Sequence, residues 1–121
     1  MKKRILVIED EQHISGLVKF ILEKKGFEVL QAFAGQEGIE VSKKEKPDLI
    51  ILDVMMPNMD GFEVADRLKK LKETNSIPII MLSSAAQIKD RVKGIKSGAA
   101  AYITKPFDKN ELTAKVDEQL S

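Results

Sequence analysis

Each of four short apolar runs in this chain ends in residues able to do chemistry. Residues 5–8 lead into Glu9 and Asp10, 49–52 into Asp53, 77–82 into Ser83 and Ser84, and 101–103 into Thr104-Lys105-Pro106. Any one of these acids alone reads as a solvated loop residue. Three carboxylates and a lysine delivered to one edge of a sheet read differently. Like charges a few ångströms apart raise one another's pKa, and such a cluster is costly unless a cation joins it. An oxygen-only donor set suits Mg²⁺, which keeps several waters and is commonly held by one or two carboxylates and a phosphate. An aspartate can then act as a nucleophile toward an activated phosphate, because phosphoryl transfer depends mostly on positioning and charge neutralisation.

The elements that must bring these residues together are legible in the hydrophobic pattern. Strand candidates are 4–8, 27–32, 48–52, 78–82 and 101–103, alternating with longer amphipathic segments from end to end. The run Leu49-Ile50-Ile51-Leu52 is apolar throughout, as in a strand covered on both faces. A first helix carries Ile14, Leu17, Val18, Ile21 and Leu22 inward and stops at Lys24-Lys25-Gly26. A second spans 35–46 and ends before Pro47. A third runs over 61–73 with Phe62, Ala65, Leu68 and Leu71 inward, opened by Gly61 where a side chain would obstruct the backbone. A fourth covers 87–97 with a sparse stripe of Ile88, Val92 and Ile95 and ends at Gly98. A fifth starts with Asp108 as N-cap and Glu111 three residues on, burying Leu112, Val116 and Leu120. This is an α/β pattern of five βα units. Right-handed crossovers favour a doubly wound, five-stranded parallel sheet in the order 2-1-3-4-5, with ligands beyond the carboxyl ends of the strands where the order reverses.

Bulk properties narrow the function further. The 121 residues suffice for one domain over 1–121, and no apolar run approaches the ~20 residues of a membrane span. The basic start Lys2-Lys3-Arg4 precedes only four apolar residues, too few for a signal-peptide core, so the expected location is cytoplasmic. With no cysteine and a single histidine, disulfides, thiolate catalysis and multi-histidine metal sites within the chain are excluded. The net charge of +1 is spread along the chain, which speaks against a nucleic-acid-binding face. His13 reads as an exposed residue in the first helical turn, and Met55, Met56 and Met59 as loop and core filler.

Glu9-Asp10, the stretch Asp53-Val54-Met55-Met56-Pro57-Asn58-Met59-Asp60-Gly61, Ser83, and Tyr102-Ile103-Thr104-Lys105-Pro106-Phe107 together resemble the receiver domain of bacterial two-component response regulators. The resemblance covers the whole chain and implies a flavodoxin-like (βα)5 fold and a phosphorylation-dependent signalling switch, not an enzyme acting on other substrates. It implies that Asp53 accepts the phosphoryl group. Asp10, Asp53 and the Met55 carbonyl would bind Mg²⁺ directly, and Glu9 through a water. Lys105 would pair with the phosphoryl oxygens, oriented by a cis peptide bond to Pro106. Ser83 would donate a hydrogen bond to the phosphoryl group while Tyr102 swings inward, changing the face made by the fourth helix, fifth strand and fifth helix. The implied partners are a sensor histidine kinase or phosphotransfer protein, contacting the first helix and the loop after the fifth strand, and a downstream protein or output domain.

Three departures from the family pattern stand out. The fifth strand reads Gly98-Ala99-Ala100-Ala101-Tyr102, where DNA-binding members often carry two aspartates before the tyrosine. The last helix has Lys115-Val116-Asp117-Glu118, where those members tend to place arginines, so a monomer or weak dimer is expected. Met55 and Ala85 occupy positions that tune hydrolysis in the family, and neither holds an attacking water, which implies a long-lived phosphoryl group. A flavin-binding module of the same architecture needs a phosphate-cradling loop after the first strand, and Glu9-Asp10-Glu11 would repel phosphate. A phosphatase with an aspartate nucleophile would show Asp-x-Asp there, and a purely scaffolding receiver would lack the acids, the hydroxyl or the lysine.

Overall fold

The structure is a computed structural model, and it describes residues 2–84 and 98–121. In chain order it runs β1 (Arg4–Ile8), α1 (Gln12–Lys24), β2 (Glu28–Ala32), α2 (Gly35–Glu45), β3 (Leu49–Asp53), α3 (Gly61–Lys70), β4 (Ile79–Ser84), β5 (Ala101–Lys105) and the C-terminal helix α4 (Lys109–Leu120). The expected helix over 87–97, with Ile88, Val92 and Ile95, and Ala85 before it, lie outside the described residues.

The five strands are parallel and ordered β2-β1-β3-β4-β5, as the pattern predicts. Alternating side chains feed two cores, one on each face of the sheet. Leu6, Ile8, Ile50, Leu52, Ile79 and Met81 meet Phe62, Ala65 and Leu68 of α3 and Ile39 of α2. Ile5, Val7, Leu49, Ile51, Ile80, Leu82 and Ile103 meet Val18 and Leu22 of α1 and Leu112 and Val116 of α4. β3 is buried along its whole length, which is why it is apolar from Leu49 to Leu52.

The helix ends follow local chemistry. α1 closes with Gly26 at φ +95°, in the left-handed region, and α2 closes with Lys46 at φ +47° before Pro47. α3 opens on Asp60, whose carboxylate accepts the Glu63 N–H at 2.9 Å, and α4 on Asp108, which accepts the Asn110 N–H at 2.7 Å.

Several boundaries differ from expectation. α3 stops at Lys70 rather than at residue 73, because the Thr74 hydroxyl captures the Leu68 carbonyl at 2.6 Å and the Lys69 ammonium captures the Ile77 carbonyl at 2.8 Å. Those carbonyls hold a compact turn over residues 71–77. Helical spacing places Leu17 inward, yet it is 49% exposed. It lies about 100° around the helix from Val18, and the buried arc runs the other way, through Leu22 and Ser15, whose hydroxyl is hydrogen-bonded by the Gln31 side-chain amide at 2.9 Å. β3, β4 and β5 each extend past the expected end, to Asp53, Ser84 and Lys105. No helix among the described residues is long and apolar enough to cross a membrane.

Candidate functional site

The carboxyl edge of the sheet gathers the acids by strand alternation. Ile5 and Val7 face the α1/α4 side, so the next residue of that series is Glu9; Leu49 and Ile51 lead to Asp53, and Ala101 and Ile103 to Lys105. Three polar groups thereby continue three apolar stripes at one end of one face. Glu9, Asp10 and Asp53 bring carboxylate oxygens within 4.8 Å of one another. The Lys105 ammonium donates to Asp53 Oδ1 at 2.9 Å and to Glu9 Oε1 at 3.0 Å.

Burial sharpens the electrostatics. Glu9 is fully buried and Asp53 is 3% exposed, while Asp10 is more open to solvent than either. Burial pushes the Glu9 carboxyl up to about 7, and the neighbouring Asp53 pushes in the same direction against the pull of Lys105. Burial alone would lower the Lys105 ammonium, but its bonds to Asp53 and Glu9 outweigh that and hold it above the usual lysine value. One ammonium against three carboxylates leaves excess negative charge, and every donor is a hard oxygen. That set fits a divalent cation such as Mg²⁺.

Main-chain groups frame the cluster. The Glu11 N–H donates to Glu9 Oε2 at 3.2 Å and the Met55 N–H to Asp53 Oδ1 at 3.3 Å. Met55 sits in the segment after β3 with its side chain turned to solvent, 66% exposed. The Lys105–Pro106 peptide bond is cis. The backbone of Asp53 and Val54 is pressed against Gly61: a Cβ there would meet the Asp53 carbonyl oxygen and lie 2.8 Å from Val54 Cα.

Ser83 follows Leu82, the partner of Asp53 in the ladder, and pairs with Thr104. Its hydroxyl is buried and has no hydrogen-bond partner among the described residues. Such an orphan costs about 1–3 kcal/mol unless an acceptor arrives. By alternation Ser83 points to the α2/α3 side, the side on which Tyr102 packs, half-buried, against the core. His13 is exposed in the first turn of α1. What sequence reasoning missed is the bond between Lys105 and Glu9, which couples residues 96 apart and has no local signal.

Comparison with known proteins agrees with this architecture. The family model "Response regulator receiver domain" matches residues 5–117. The DNA-binding dual master transcriptional regulator RpaA of Synechocystis is 46% identical over 113 residues, 93% of this chain and 47% of that protein. The alkaline phosphatase synthesis transcriptional regulatory protein PhoP of Bacillus subtilis is 43% identical over 116 residues, 96% of this chain and 48% of that protein. The chain thus spans about half the length of the curated relatives it matches. Among solved structures, chemotaxis protein CheY4 of Vibrio cholerae superposes with a TM-score of 0.92 at 29% identity, covering 98% of both chains. A CheY-like receiver domain protein of Methanospirillum hungatei gives 0.92 at 33% identity, covering 99% of this chain and 94% of that one. The chain belongs to the response regulator receiver domain family.

Proposed function

We propose that this chain is switched by phosphorylation of Asp53, with Mg²⁺ as cofactor and a sensor histidine kinase, phosphotransfer protein or small phosphodonor as the source. Receiver domains of two-component response regulators are signalling switches rather than classical enzymes, and the only reactions assigned to the chain are its own phosphorylation and dephosphorylation. The observation that carries the reading is the buried Asp53 carboxylate held by Lys105 at 2.9 Å inside a cluster with excess negative charge.

Asp10, Asp53 and the main-chain carbonyl of Met55 would hold the cation, with Glu9 acting through a water. When bound, Mg²⁺ neutralises charge on the phosphoryl oxygens. An Asp53 oxygen attacks phosphorus, the new O–P bond forms, and the bond from phosphorus to the donor's nitrogen or acyl oxygen breaks, its electron pair leaving with the donor. Lys105 supports the charge on the transferred group. The Ser83 hydroxyl, lacking a partner among the described residues, donates to a phosphoryl oxygen. Tyr102 shares its side of the sheet and moves inward with it, which transmits the change to the surface that includes β5 and α4.

That surface would act on a downstream protein or an output domain, of the DNA-binding kind that the name of RpaA records. Residues 1–121 themselves act as one receiver unit, without direct nucleic-acid binding, as a monomer or weak dimer in the cytoplasm. The test is intact mass after incubation with acetyl phosphate, with and without Mg²⁺, beside Asp53→Ala. A gain of ~80 Da that needs both Mg²⁺ and Asp53 is expected of an aspartyl phosphoacceptor. No gain in a folded sample would reject the reading.

A further inference from the structure

Two glycines on α2 touch both chain segments that carry the acids. Gly38 is buried against Ile8, the residue before Glu9 and Asp10. A Cβ at 38 would lie 2.5 Å from Ile8 Cδ1, 2.8 Å from Cγ1 and 2.9 Å from Cγ2. Ile8 cannot yield readily, since it is fully buried, stiff at χ1, and paired with Ala32 on one side and Leu52 on the other. One turn earlier, Gly35 abuts the segment that follows Asp53. A Cβ at 35 would lie 2.9 Å from Val64 Cγ2 and 3.2 Å from both Cβ and Sδ of Met59. Met59 closes the same loop that carries Met55.

α2 is itself held firmly. The Phe33 N–H donates to Glu37 Oε1 at 2.8 Å at its start, and the Ser42 hydroxyl donates to the Gly38 carbonyl at 2.7 Å in its interior. Glycine weakens a helix unless close approach requires it, and here two such residues sit where a backbone must touch its neighbours. We propose that Gly35 and Gly38 are positioning residues for the divalent-cation site: through Ile8 and Met59 they set the separation between Asp10 after β1 and the Asp53–Met55 segment after β3. This inference rests on the cation reading given above. Alanine at either position drives α2 off the sheet or moves Ile8 or Met59, and so spreads the ligands. Supporting groups around metal ligands typically matter by about 10–100-fold in affinity.

The experiment is isothermal titration of the metal-free protein with Mg²⁺ alone. Gly38→Ala is expected to bind about tenfold more weakly than the parent. Adding Ile8→Ala removes Cδ1, Cγ1 and Cγ2, the three atoms that the new methyl group would strike, and is expected to restore binding to within about twofold. Gly35→Ala asks the same question through Val64 Cγ2 at 2.9 Å and Met59 Cβ at 3.2 Å, which shift by only a few tenths of an ångström; it is expected to fold and to bind Mg²⁺ several-fold more weakly, so it serves even if Gly38→Ala does not fold. Val116→Ala, a cavity on the opposite face, is expected to lower thermal stability with Mg²⁺ affinity unchanged. Parent-like Mg²⁺ binding in a folded glycine variant, or an equal loss in Val116→Ala, would overturn the inference alone. Failure of the parent to bind Mg²⁺ would instead overturn the cation reading beneath it.

Discussion

Glu9 is wholly buried and shares the Lys105 ammonium with Asp53. Its carboxyl titrates near 7 in the folded chain against an ordinary value of 4.5, chiefly because burial disfavours the charged form. The unfolded chain therefore releases this proton first as pH rises. The stability that the neutral carboxyl contributes is complete below about pH 4.5 and is lost as pH climbs through about 7. Lys105 does not change charge in this window, since its value is raised above that of an ordinary lysine. In chelator, Glu9→Gln should flatten the fall in unfolding midpoint between pH 5 and pH 8, leaving its midpoint at pH 8 about 5 °C above that of the parent. Mg²⁺ should narrow that gap by stabilising the ionised parent. Thermal scans at both pH values, with and without the metal, decide it; identical slopes in parent and variant would mean that Glu9 does not titrate in this range.

At the scale of elements, α3 starts against the backbone of Asp53, and two neighbouring residues there do separable things. Asp60 caps the helix through the Glu63 N–H, so Asp60→Ala should cost about 1 kcal/mol in urea unfolding and leave phosphorylation by acetyl phosphate near the parental rate. Gly61 donates its N–H to the Val54 carbonyl at 2.8 Å and has no room for a Cβ. Gly61→Ala should cost about 2 kcal/mol and also slow phosphorylation, because the displaced atoms belong to Asp53 and Val54. Parental phosphorylation kinetics in Gly61→Ala would show that this contact holds the helix without positioning the carboxylate. The sequence pattern carried the order of elements, the two-sided burial of β3 and the gathering of Glu9, Asp10, Asp53 and Lys105 at one edge, because alternation continues through the strand ends. It did not carry the strand ends themselves. Asp53, Ser84 and Lys105 look like loop residues, and only cross-strand partners such as Leu82 for Asp53 extend the ladder to them. Leu17 misled for a related reason: an apolar residue at helical spacing does not show on which side of Val18 the buried arc lies, and here it runs through Leu22 and Ser15, which the Gln31 side chain bonds.

The molecule as a whole is one sheet serving two cores. Ile50 and Ile51 are consecutive, both fully buried, and point to opposite sides: Ile50 into the layer with α2 and α3, Ile51 into the layer with α1 and α4. Neither layer can be exposed without uncovering the strands that the other layer needs, so residues 1–121 should unfold as one cooperative unit. Ile50→Ala and Ile51→Ala are each expected to cost about 2–5 kcal/mol, the range for deleting a buried branched side chain. More tellingly, each should move the whole transition, so that far-ultraviolet circular dichroism and Tyr102 fluorescence keep coincident midpoints in both variants. A split in either variant, with one probe shifted and the other left in place, would mean that the two helical layers are separable and that the sheet does not couple them. The same coupling is what a switch at the sheet edge requires, since a change at Asp53 can reach a distant helix only through strands that both cores hold rigid.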